Sequence, residues 1–450
     1  MQNMNTIKTI AACALFTLVL GVFTSKNTFA GVPIERVVLP SGAQVYVASS
    51  MAIPMVDVLI EFDAGGRRDP SNMAGLASVT SGHFSKGVLG SQGKPALDEN
   101  QLGEAWADLG ASFGVGAGDD RMSFSLRSLT YPDLLPKAVA LAAQQLAVPA
   151  FPAATWPRDR ERISASIKEA NTKPATMVGR RFNTAVYGAH PYGKEITEQS
   201  LQQIDVQAMQ KFYASYVRAC RAKISIVGAV NKADAAQIAT ELIAGLPQTG
   251  CDELPAVPEV EALTAAQDIK VPFESAQAHV AIGQPGYKRS DPDFFALTVG
   301  NYILGGGGFV SRLSKEVREK RGLSYSVYSY FAPGLHAGAF TIGLQTRPDQ
   351  AAQAVQVSKD VLAKFVADGP SADELKAAKD NLIGGFALRI DSNRKLLDNV
   401  ANIAWVGLPL DYLENWTQRV DKITLADIKT AFARKLQPEK MVTVVVGGKE

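Results

Sequence analysis

The run Lys223-Ile-Ser-Ile-Val-Gly228 and its counterpart Val442-Thr-Val-Val-Val-Gly447 carry the main evidence on the fold. Each is a short, β-branched run that ends at a glycine, which is typical of a buried strand. Each also follows a stretch with helical spacing, residues 206–216 in the first case and residues 425–436 in the second. The same order of helix, strand and glycine therefore occurs twice, with the two glycines 219 residues apart.

A second pair of landmarks repeats at nearly the same spacing. The strand-like run Val56-Asp-Val-Leu-Ile-Glu-Phe62 precedes Asp69-Pro70, and His279-Val-Ala-Ile-Gly283 precedes Asp291-Pro292. Each Asp-Pro pair leads into a segment with helical spacing, and the two pairs lie 222 residues apart. Two landmarks with the same order and nearly equal offsets predict an internal duplication rather than chance recurrence.

The duplication predicts an α+β fold with two similar domains, each a largely antiparallel sheet packed with helices. Neither half shows a regular strand–helix–strand alternation, which argues against a parallel sheet. Residues 245–258 contain three prolines and two glycines, as expected of an extended linker. The predicted organisation is a signal peptide at residues 1–30, an N-terminal domain at 31–245, a linker at 246–268 and a C-terminal domain at 269–450.

The first 30 residues have the pattern of a secretory signal. Lys8 precedes an apolar run at residues 10–23, and Thr28-Phe29-Ala30 offers small residues for signal peptidase. The apolar run is shorter than the ~20 residues of a membrane-spanning helix. We therefore expect export to the periplasm with no membrane attachment after cleavage, and an uncleaved N-terminal anchor is the alternative.

Composition narrows the classes of partner. The 450-residue chain is 46% hydrophobic and 20% charged, which suits a folded protein with real cores. Residues 1–30 contain two lysines and no acidic residue, so the mature chain has 44 basic and 44 acidic residues. A neutral chain is a poor candidate for binding nucleic acid or an acidic membrane. The mature chain keeps two cysteines, Cys220 and Cys251, and the sequence leaves open whether they pair.

Most familiar catalytic patterns are missing. The four histidines, His83, His190, His279 and His336, have no histidine four residues away and no nearby cysteine cluster. A zinc site built from this chain is therefore not expected. The run Gly305-Gly-Gly-Gly308 is not followed by Lys-Ser or Lys-Thr, so it lacks the phosphate-binding lysine of a P-loop.

The segment after these glycines offers one candidate binding pair. Residues 309–320 have helical spacing, Gly322 suits the helix end, and residues 324–331 alternate as a strand does. This arrangement would place Arg318, in the last helical turn, beside Tyr325 at the start of the strand. A guanidinium next to a phenol can bind a carboxylate or a peptide carbonyl. From the residues alone, a solvated basic helix end is the favoured interpretation, because Lys and Arg are common at helix C-termini.

The string Leu304-Gly-Gly-Gly-Gly-Phe-Val-Ser-Arg-Leu-Ser-Lys-Glu-Val-Arg-Glu-Lys-Arg-Gly-Leu-Ser-Tyr-Ser-Val-Tyr-Ser329 resembles a known signature. It is similar to the C-terminal-half motif of the pitrilysin/insulinase/mitochondrial-processing-peptidase family of zinc metallopeptidases. Arg68-Asp-Pro70 with Gly75-Leu-Ala77 resembles the opening of that family's first domain. Tyr187-Gly-Ala-His-Pro-Tyr-Gly193 and Ile224-Ser-Ile-Val-Gly228 resemble its middle loop and its closing strand. The resemblance implies duplicated α+β domains, in agreement with the repeat.

The chain departs from the family at the metal site. In active members the helix after Gly-Leu-Ala carries His-x-x-Glu-His, which binds zinc and activates a water. Here those positions are Ser78, Ser81 and Gly82, and His83 comes one residue late, about 100° around a helix. Asp159 is the best match to the third ligand, a downstream glutamate, and one carboxylate cannot hold zinc. The resemblance therefore implies that this chain binds no metal.

The second-half signature is kept, and in the family its arginine and tyrosine hold the substrate peptide. Some members divide the labour between two chains, one with the zinc motif and one with the Arg/Tyr pair. The resemblance thus implies a non-catalytic, substrate-binding subunit of a heterodimeric periplasmic zinc metallopeptidase. Zinc would lie in a homologous partner, and an unfolded peptide would bind in extended form along a sheet edge through Arg318 and Tyr325.

The glycine run would let the two shells of such a heterodimer meet closely. Its members are Gly305, Gly306, Gly307 and Gly308. Two alternatives remain at this point: a degenerate homologue that serves as a scaffold without a proteolytic role, and a stand-alone hydrolase with an unrecognised site.

Overall fold

A computed structural model describes residues 32–91 and 93–448. The predicted signal peptide at residues 1–30 lies outside the described residues. Within those ranges, no helix has both the length and the apolar character needed to cross a membrane.

Thirteen strands and fourteen α-helices make up the described chain. The strands are β1 Glu35–Val38, β2 Gln44–Ser49, β3 Met55–Phe62, β4 Gly87–Val88, β5 Leu97–Asp98, β6 Ser112–Ala117, β7 Met122–Leu129, β8 Lys223–Gly228, β9 Gln267–Val271, β10 Ala278–Tyr287, β11 Val327–Phe331, β12 Gly338–Thr346 and β13 Val442–Val446. The helices are α1 Leu76–His83, α2 Glu99–Asp108, α3 Leu135–Ala147, α4 Trp156–Ala170, α5 Pro174–Tyr187, α6 Glu198–Gln202, α7 Val206–Tyr216, α8 Lys232–Ile243, α9 Phe294–Asn301, α10 Ala351–Asp368, α11 Ala372–Gly384, α12 Asn393–Val406, α13 Trp416–Lys422 and α14 Leu425–Lys435.

The two large sheets have the same strand order. Sheet 1, from the first half of the chain, runs β1-β2-β8-β3-β7-β6, and sheet 2, from the second half, runs β9-β13-β10-β12-β11. Apart from β1, each strand of sheet 1 has a counterpart in sheet 2. The β2–β8 and β9–β13 pairs are parallel, and every other pair in both sheets is antiparallel. The predicted duplicated α+β architecture is therefore confirmed.

The repeat extends to the register of the central strands. Gly228, at the end of β8, lies opposite Val56 of β3. Gly447, which follows β13, lies against Ala278 of β10 in the same way. The two glycines have φ angles of +141° and +139°. A Cβ on Gly228 would lie 2.2 Å from the carbonyl oxygen of Met55, so both the conformation and the space require glycine.

The two Asp-Pro pairs also act alike. Asp69 accepts hydrogen bonds from the N–H groups of Gly75 at 2.7 Å and Ala77 at 2.8 Å, which caps the start of α1. Asp291 accepts from the Asp293 N–H at 2.9 Å just before α9 begins. Each aspartate satisfies backbone donors that a helix start leaves without partners.

Each half of the chain contributes a helix that covers the other half's sheet. On sheet 2, Phe182 of α5 belongs to one buried cluster with Ala281 and Val444. On sheet 1, the Lys223 ammonium donates to the Trp405 carbonyl of α12 at 2.9 Å. This exchange joins the two halves into one compact unit. The domain boundaries at residues 245 and 268 stay predictions.

The segment between the sheets is anchored at its start. Residues 247–266 contain no helix or strand. Cys220 and Cys251 form a disulfide, which settles the question that the sequence left open. Next to it, Arg218 donates to the Thr249 carbonyl at 3.0 Å, and Arg221 donates to the Asp252 carbonyl at 2.7 Å. The start of the predicted extended segment is thus fixed to the first half rather than loose.

Candidate functional site

The chain between α9 and β11 is irregularly helical. A π-helical turn over Tyr302–Gly306 continues α9, Gly308–Val310 forms a 3₁₀ turn, and Ser314–Glu319 is π-helical again. The predicted single helix over residues 309–320 is therefore wrong in detail. The glycines before it disfavour helix, and π turns often occur at functional sites.

The glycine run packs tightly against the neighbouring strand. A Cβ on Gly305 would lie 2.5 Å from the backbone nitrogen of Ser329 in β11. Gly308 has a φ of +62°, a conformation that other residues adopt at a cost. The run therefore lets the helical segment lie directly against β11.

Gly322 reverses the chain, as predicted. Its φ is +61°, and its N–H donates to the Arg318 carbonyl at 2.9 Å. The Leu323 N–H donates to the Val317 carbonyl at 3.0 Å, which completes a glycine-type helix end. The reversal brings Tyr325, two residues before β11, back alongside the helix.

The Arg318 guanidinium lies between two exposed aromatic rings. Its carbon is 4.3 Å from the ring centre of Phe309 and 5.3 Å from that of Tyr325, and these side chains are 69% and 86% exposed. Within the described ranges, no carboxylate lies within 4.0 Å of this guanidinium, whereas neighbouring Arg321 pairs with Glu316 at 2.8 Å. The rings orient Arg318 and leave its N–H donors available, which a solvated basic helix end does not require.

The exposed surface continues along β11, which is an edge strand of sheet 2. Tyr328 and Tyr330 project from one face of it, partly exposed, with ring centres 6.0 Å apart. The outer edge of β11 is covered, because Asn301 Nδ2 donates to the Ser329 carbonyl at 3.0 Å. The exposed aromatic side chains instead suit contact with the side chains of an extended peptide. Sequence reasoning missed Phe309, Tyr328 and Tyr330, because alternation and helical spacing do not show which face of an element stays uncovered.

The α1 face that would carry a metal motif presents no ligand. Ser78 and Gly82 are exposed on that face, and Ser81 is buried with its hydroxyl donating to the Ser78 carbonyl at 2.8 Å. A Cβ on Gly82 would meet no other atom within 4 Å. The face is therefore open and lacks the side chains that zinc requires.

His83 lies inside the core, away from that face. Its ring stacks on Phe151 at 6.3 Å and meets the edge of Trp156 at 5.7 Å. Its Nδ1 lies 3.9 Å from Asp159 Oδ2. Burial lowers the pKa of His83, so the neutral ring is favoured and serves packing.

Asp159, the best match to the third ligand, is occupied by cations of this chain. It is 4% exposed on α4, with Lys86 Nζ at 3.7 Å and Arg158 Nη2 at 3.3 Å from its oxygens. Lys86 also pairs with Glu99 at 2.5 Å. Across residues 32–91 and 93–448, no group of three His, Cys, Asp or Glu side chains could hold a metal ion. The residues present therefore do not fit a zinc ion.

Comparison with known protein families shows to which family this chain belongs. Residues 45–200 match the model of "Insulinase (Peptidase family M16)", and residues 203–382 match that of "Peptidase M16 inactive domain". A solved peptidase M16 inactive domain from Pseudomonas fluorescens is 32% identical, with a TM-score of 0.86 over 93% of this chain and 98% of its own. The chain belongs to peptidase family M16. Within that family it is a degenerate homologue, because its metal positions carry no ligands.

Other family M16 relatives differ in their names. A Helicobacter pylori protein called a non-peptidase homolog is 23% identical and covers 97% of this chain and 98% of its own length. Relatives from Streptomyces coelicolor and Bacillus subtilis, 23% and 24% identical, are named uncharacterized zinc proteases. The solved periplasmic protease PqqL from Escherichia coli is 17% identical with a TM-score of 0.78, over 93% of this chain and 46% of that one. This last likeness shows the fold alone, within a chain about twice as long.

Proposed function

We propose that this chain is the substrate-binding, non-catalytic subunit of an exported heterodimeric zinc peptidase of family M16. The observation that carries the proposal is an asymmetry between two sites. The Arg318 guanidinium is oriented and available beside exposed Tyr325, while Ser78, Ser81 and Gly82 offer no metal ligand. A homologous partner with His-x-x-Glu-His would supply the zinc and its activated water.

The chain's own contribution is to bind and orient peptide. Arg318 would donate N–H groups, and Tyr325 its hydroxyl, to a carbonyl near the scissile bond. The exposed rings of Tyr328 and Tyr330 on β11 would contact side chains of the extended peptide. Donors aimed at the oxygen that gains charge during hydrolysis contribute several kcal/mol, about 100-fold in rate or more.

The size of the chain supports a two-shell assembly. It covers 46% of the PqqL chain, so a second unit of similar size would complete an assembly of that length. The tight glycine run, Gly305–Gly308, would let the two shells approach closely next to the binding pair.

Two features support export to the periplasm. The first 30 residues have the pattern of a secretory signal. The Cys220–Cys251 disulfide is of a kind that persists in oxidising compartments. PqqL, with the same fold, is described as periplasmic.

The test is reconstitution. The chain would be mixed with an exported family M16 chain from the same source that carries His-x-x-Glu-His, and cleavage of unfolded peptides measured. Arg318→Ala should lower turnover about 100-fold or more while leaving complex formation intact. The matched control is Arg321→Ala, which removes the same charge three residues after Arg318. Arg321 is paired with Glu316, so it is not available to bind peptide. Equal turnover of the Arg318→Ala complex and the wild-type complex would contradict the assigned role.

A scaffold role is the second candidate, favoured by the name of the Helicobacter pylori relative. In that case the chain would bind a partner through its exposed aromatic surface without affecting peptide cleavage. A stable complex whose activity does not depend on this chain would support the scaffold role over the proposal.

A further inference from the structure

The two halves of the chain meet at a partly buried polar cluster that the proposed function does not use. This junction cluster consists of Asp120, His190, Tyr192, Glu259 and His336. Asp120 lies in the β6–β7 turn, and His190 and Tyr192 follow α5, so these three come from the first half. Glu259 comes from the segment between the sheets, and His336 comes from the β11–β12 turn of the second half.

Hydrogen bonds hold the β11–β12 turn against the first half. The Tyr192 hydroxyl donates to Asp120 Oδ1 at 2.5 Å and accepts from the His336 N–H at 3.2 Å. The Leu335 N–H donates to Asp120 Oδ2 at 3.0 Å. A Cβ on Gly334 would lie 2.8 Å from the Tyr192 hydroxyl oxygen, so the turn seats closely on this tyrosine.

His190 fixes the position of Tyr192. Its Nδ1 accepts the Tyr192 N–H at 3.1 Å, so this nitrogen carries no proton. The side chain is buried, with the residue 6% exposed, and its ring centre lies 4.6 Å from that of Tyr192 and 5.1 Å from that of His336. A proton on Nδ1 would remove this acceptor and place a charge beside a second imidazole.

Three titratable side chains of the junction cluster influence the protonation of His190. Asp120 and Glu259 favour its protonated form, and His336 opposes it. Behind them, Arg67 Nε lies 3.2 Å from Asp120, and Lys288 pairs with Glu259. The two acids are therefore already compensated by permanent cations. Burial, together with His336, lowers the pKa of His190.

Two other acids near this junction respond to pH in the opposite direction. Burial raises the pKa of Asp119 and of Glu195, so proton uptake by these acids favours the folded state as the pH falls. For His190, whose folded pKa is lowered, proton uptake favours the open state as the pH falls below about 6.5. A loosening in acid therefore points to the histidine and not to these acids.

We propose that the junction cluster is an acid-sensitive latch, in which protonation of His190 releases the β11–β12 turn from the first half of the chain. The proton adds to Nδ1 of His190, and the hydrogen bond from the Tyr192 N–H to this nitrogen is lost. The turn leads directly out of β11, which begins two residues after Tyr325, so release would loosen the strand next to the proposed binding pair. The latch itself does not depend on the proposed function.

The test is hydrogen exchange by mass spectrometry on the intact chain at pH 7.5, 6.0 and 5.0, expressed as protection factors. Protection of residues 332–339 should fall at least tenfold between pH 7.5 and 5.0. In His190→Gln, whose side-chain oxygen can accept the Tyr192 N–H but does not titrate, protection should stay nearly constant. The matched control is His279→Gln in β10 of the same sheet, which should keep the wild-type pH dependence.

Three results would overturn the latch: constant protection in the wild type, unchanged pH dependence in His190→Gln, or loss of the pH dependence in His279→Gln. If His190→Gln fails to fold, the wild-type profile still decides, because constant protection of residues 332–339 excludes the latch. Peptide-cleavage assays play no part in this test, so its outcome is distinct from that of the proposed function.

Discussion

The Arg318 guanidinium carbon lies 5.3 Å from the ring centre of Tyr325, and no carboxylate within the described part of the chain pairs with it. Two residues seven positions apart meet because Gly322 reverses the chain between them. The tyrosine is 86% exposed, so the pair presents an oriented cation and a hydroxyl to solvent. An arrangement of this kind suits recognition of a peptide carbonyl.

Tyr325→Phe separates the two parts of the tyrosine's contribution. The phenylalanine ring keeps the contact with Arg318, and only the hydroxyl is lost. If the hydroxyl binds the reacting carbonyl, turnover of the reconstituted complex should fall about 100-fold. Tyr328→Phe, on the neighbouring strand, removes a hydroxyl from the same surface and should leave turnover within about twofold. Similar effects of the two variants would show that the Tyr325 hydroxyl has no special role.

Glu61→Gln should change how stability depends on pH. Glu61 is 1% exposed on β3 beside Arg121 at 2.9 Å, and burial raises its pKa to about 7. The folded state then keeps its proton while the unfolded state loses it, so stability falls as the pH rises from about 4.5 to 7. Between pH 5 and 8, the wild type should therefore lose about 2 kcal/mol more stability than Glu61→Gln.

Urea unfolding at several pH values measures this effect as the difference between variant and wild type. Glu261→Gln, at an exposed position, is the control and should leave the pH profile unchanged. A difference between Glu61→Gln and wild type that stays constant from pH 5 to 8 would contradict the expectation.

Removing the disulfide should lower stability. Cys220 and Cys251 are 31 residues apart, and a closed loop of that length stabilises a protein by about 3–4 kcal/mol in the chain-entropy description. The Cys220→Ser/Cys251→Ser variant should therefore unfold at lower urea concentration than the oxidised wild type, and reduced wild type should match it. A loss below about 1 kcal/mol would indicate that Arg218 and Arg221 already fix the segment.

Restoring the missing imidazoles should restore metal binding. Ser78 and Gly82 are exposed one helical turn apart, and space is free at Gly82. Ser78→His with Gly82→His should bind zinc through the two imidazoles, whereas Ser78→His alone should not. Metal content after dialysis measures this. Failure of the double variant to hold zinc would show that more than the missing ligands, such as the nearby Lys86, excludes the metal.

The repeat could be predicted from sequence because it rests on local rules. A strand that ends at a left-handed glycine and an aspartate that caps a helix leave visible marks, as at Gly228 and Asp69. The packing of α5 and α12 on the opposite sheets leaves no such mark in the sequence, because helix periodicity shows an apolar face but not its partner. The junction of His190 with His336 was equally hidden, because only tertiary packing brings residues 146 positions apart together.

The proximity of the candidate pair, Arg318 and Tyr325, could be predicted for the same reason. The turn at Gly322 follows from glycine chemistry, and it places Arg318 beside Tyr325. The contact with Phe309 could not be predicted, because the glycine run disrupts the helix that spacing alone indicates.

We infer that this chain does not hydrolyse peptides by itself. The most direct measurement is the zinc content and peptidase activity of the purified chain, with and without a chelator. We expect no stoichiometric zinc and no chelator-sensitive cleavage, since the metal positions hold two serines and a glycine. One zinc per chain, together with cleavage that a chelator abolishes, would contradict the account.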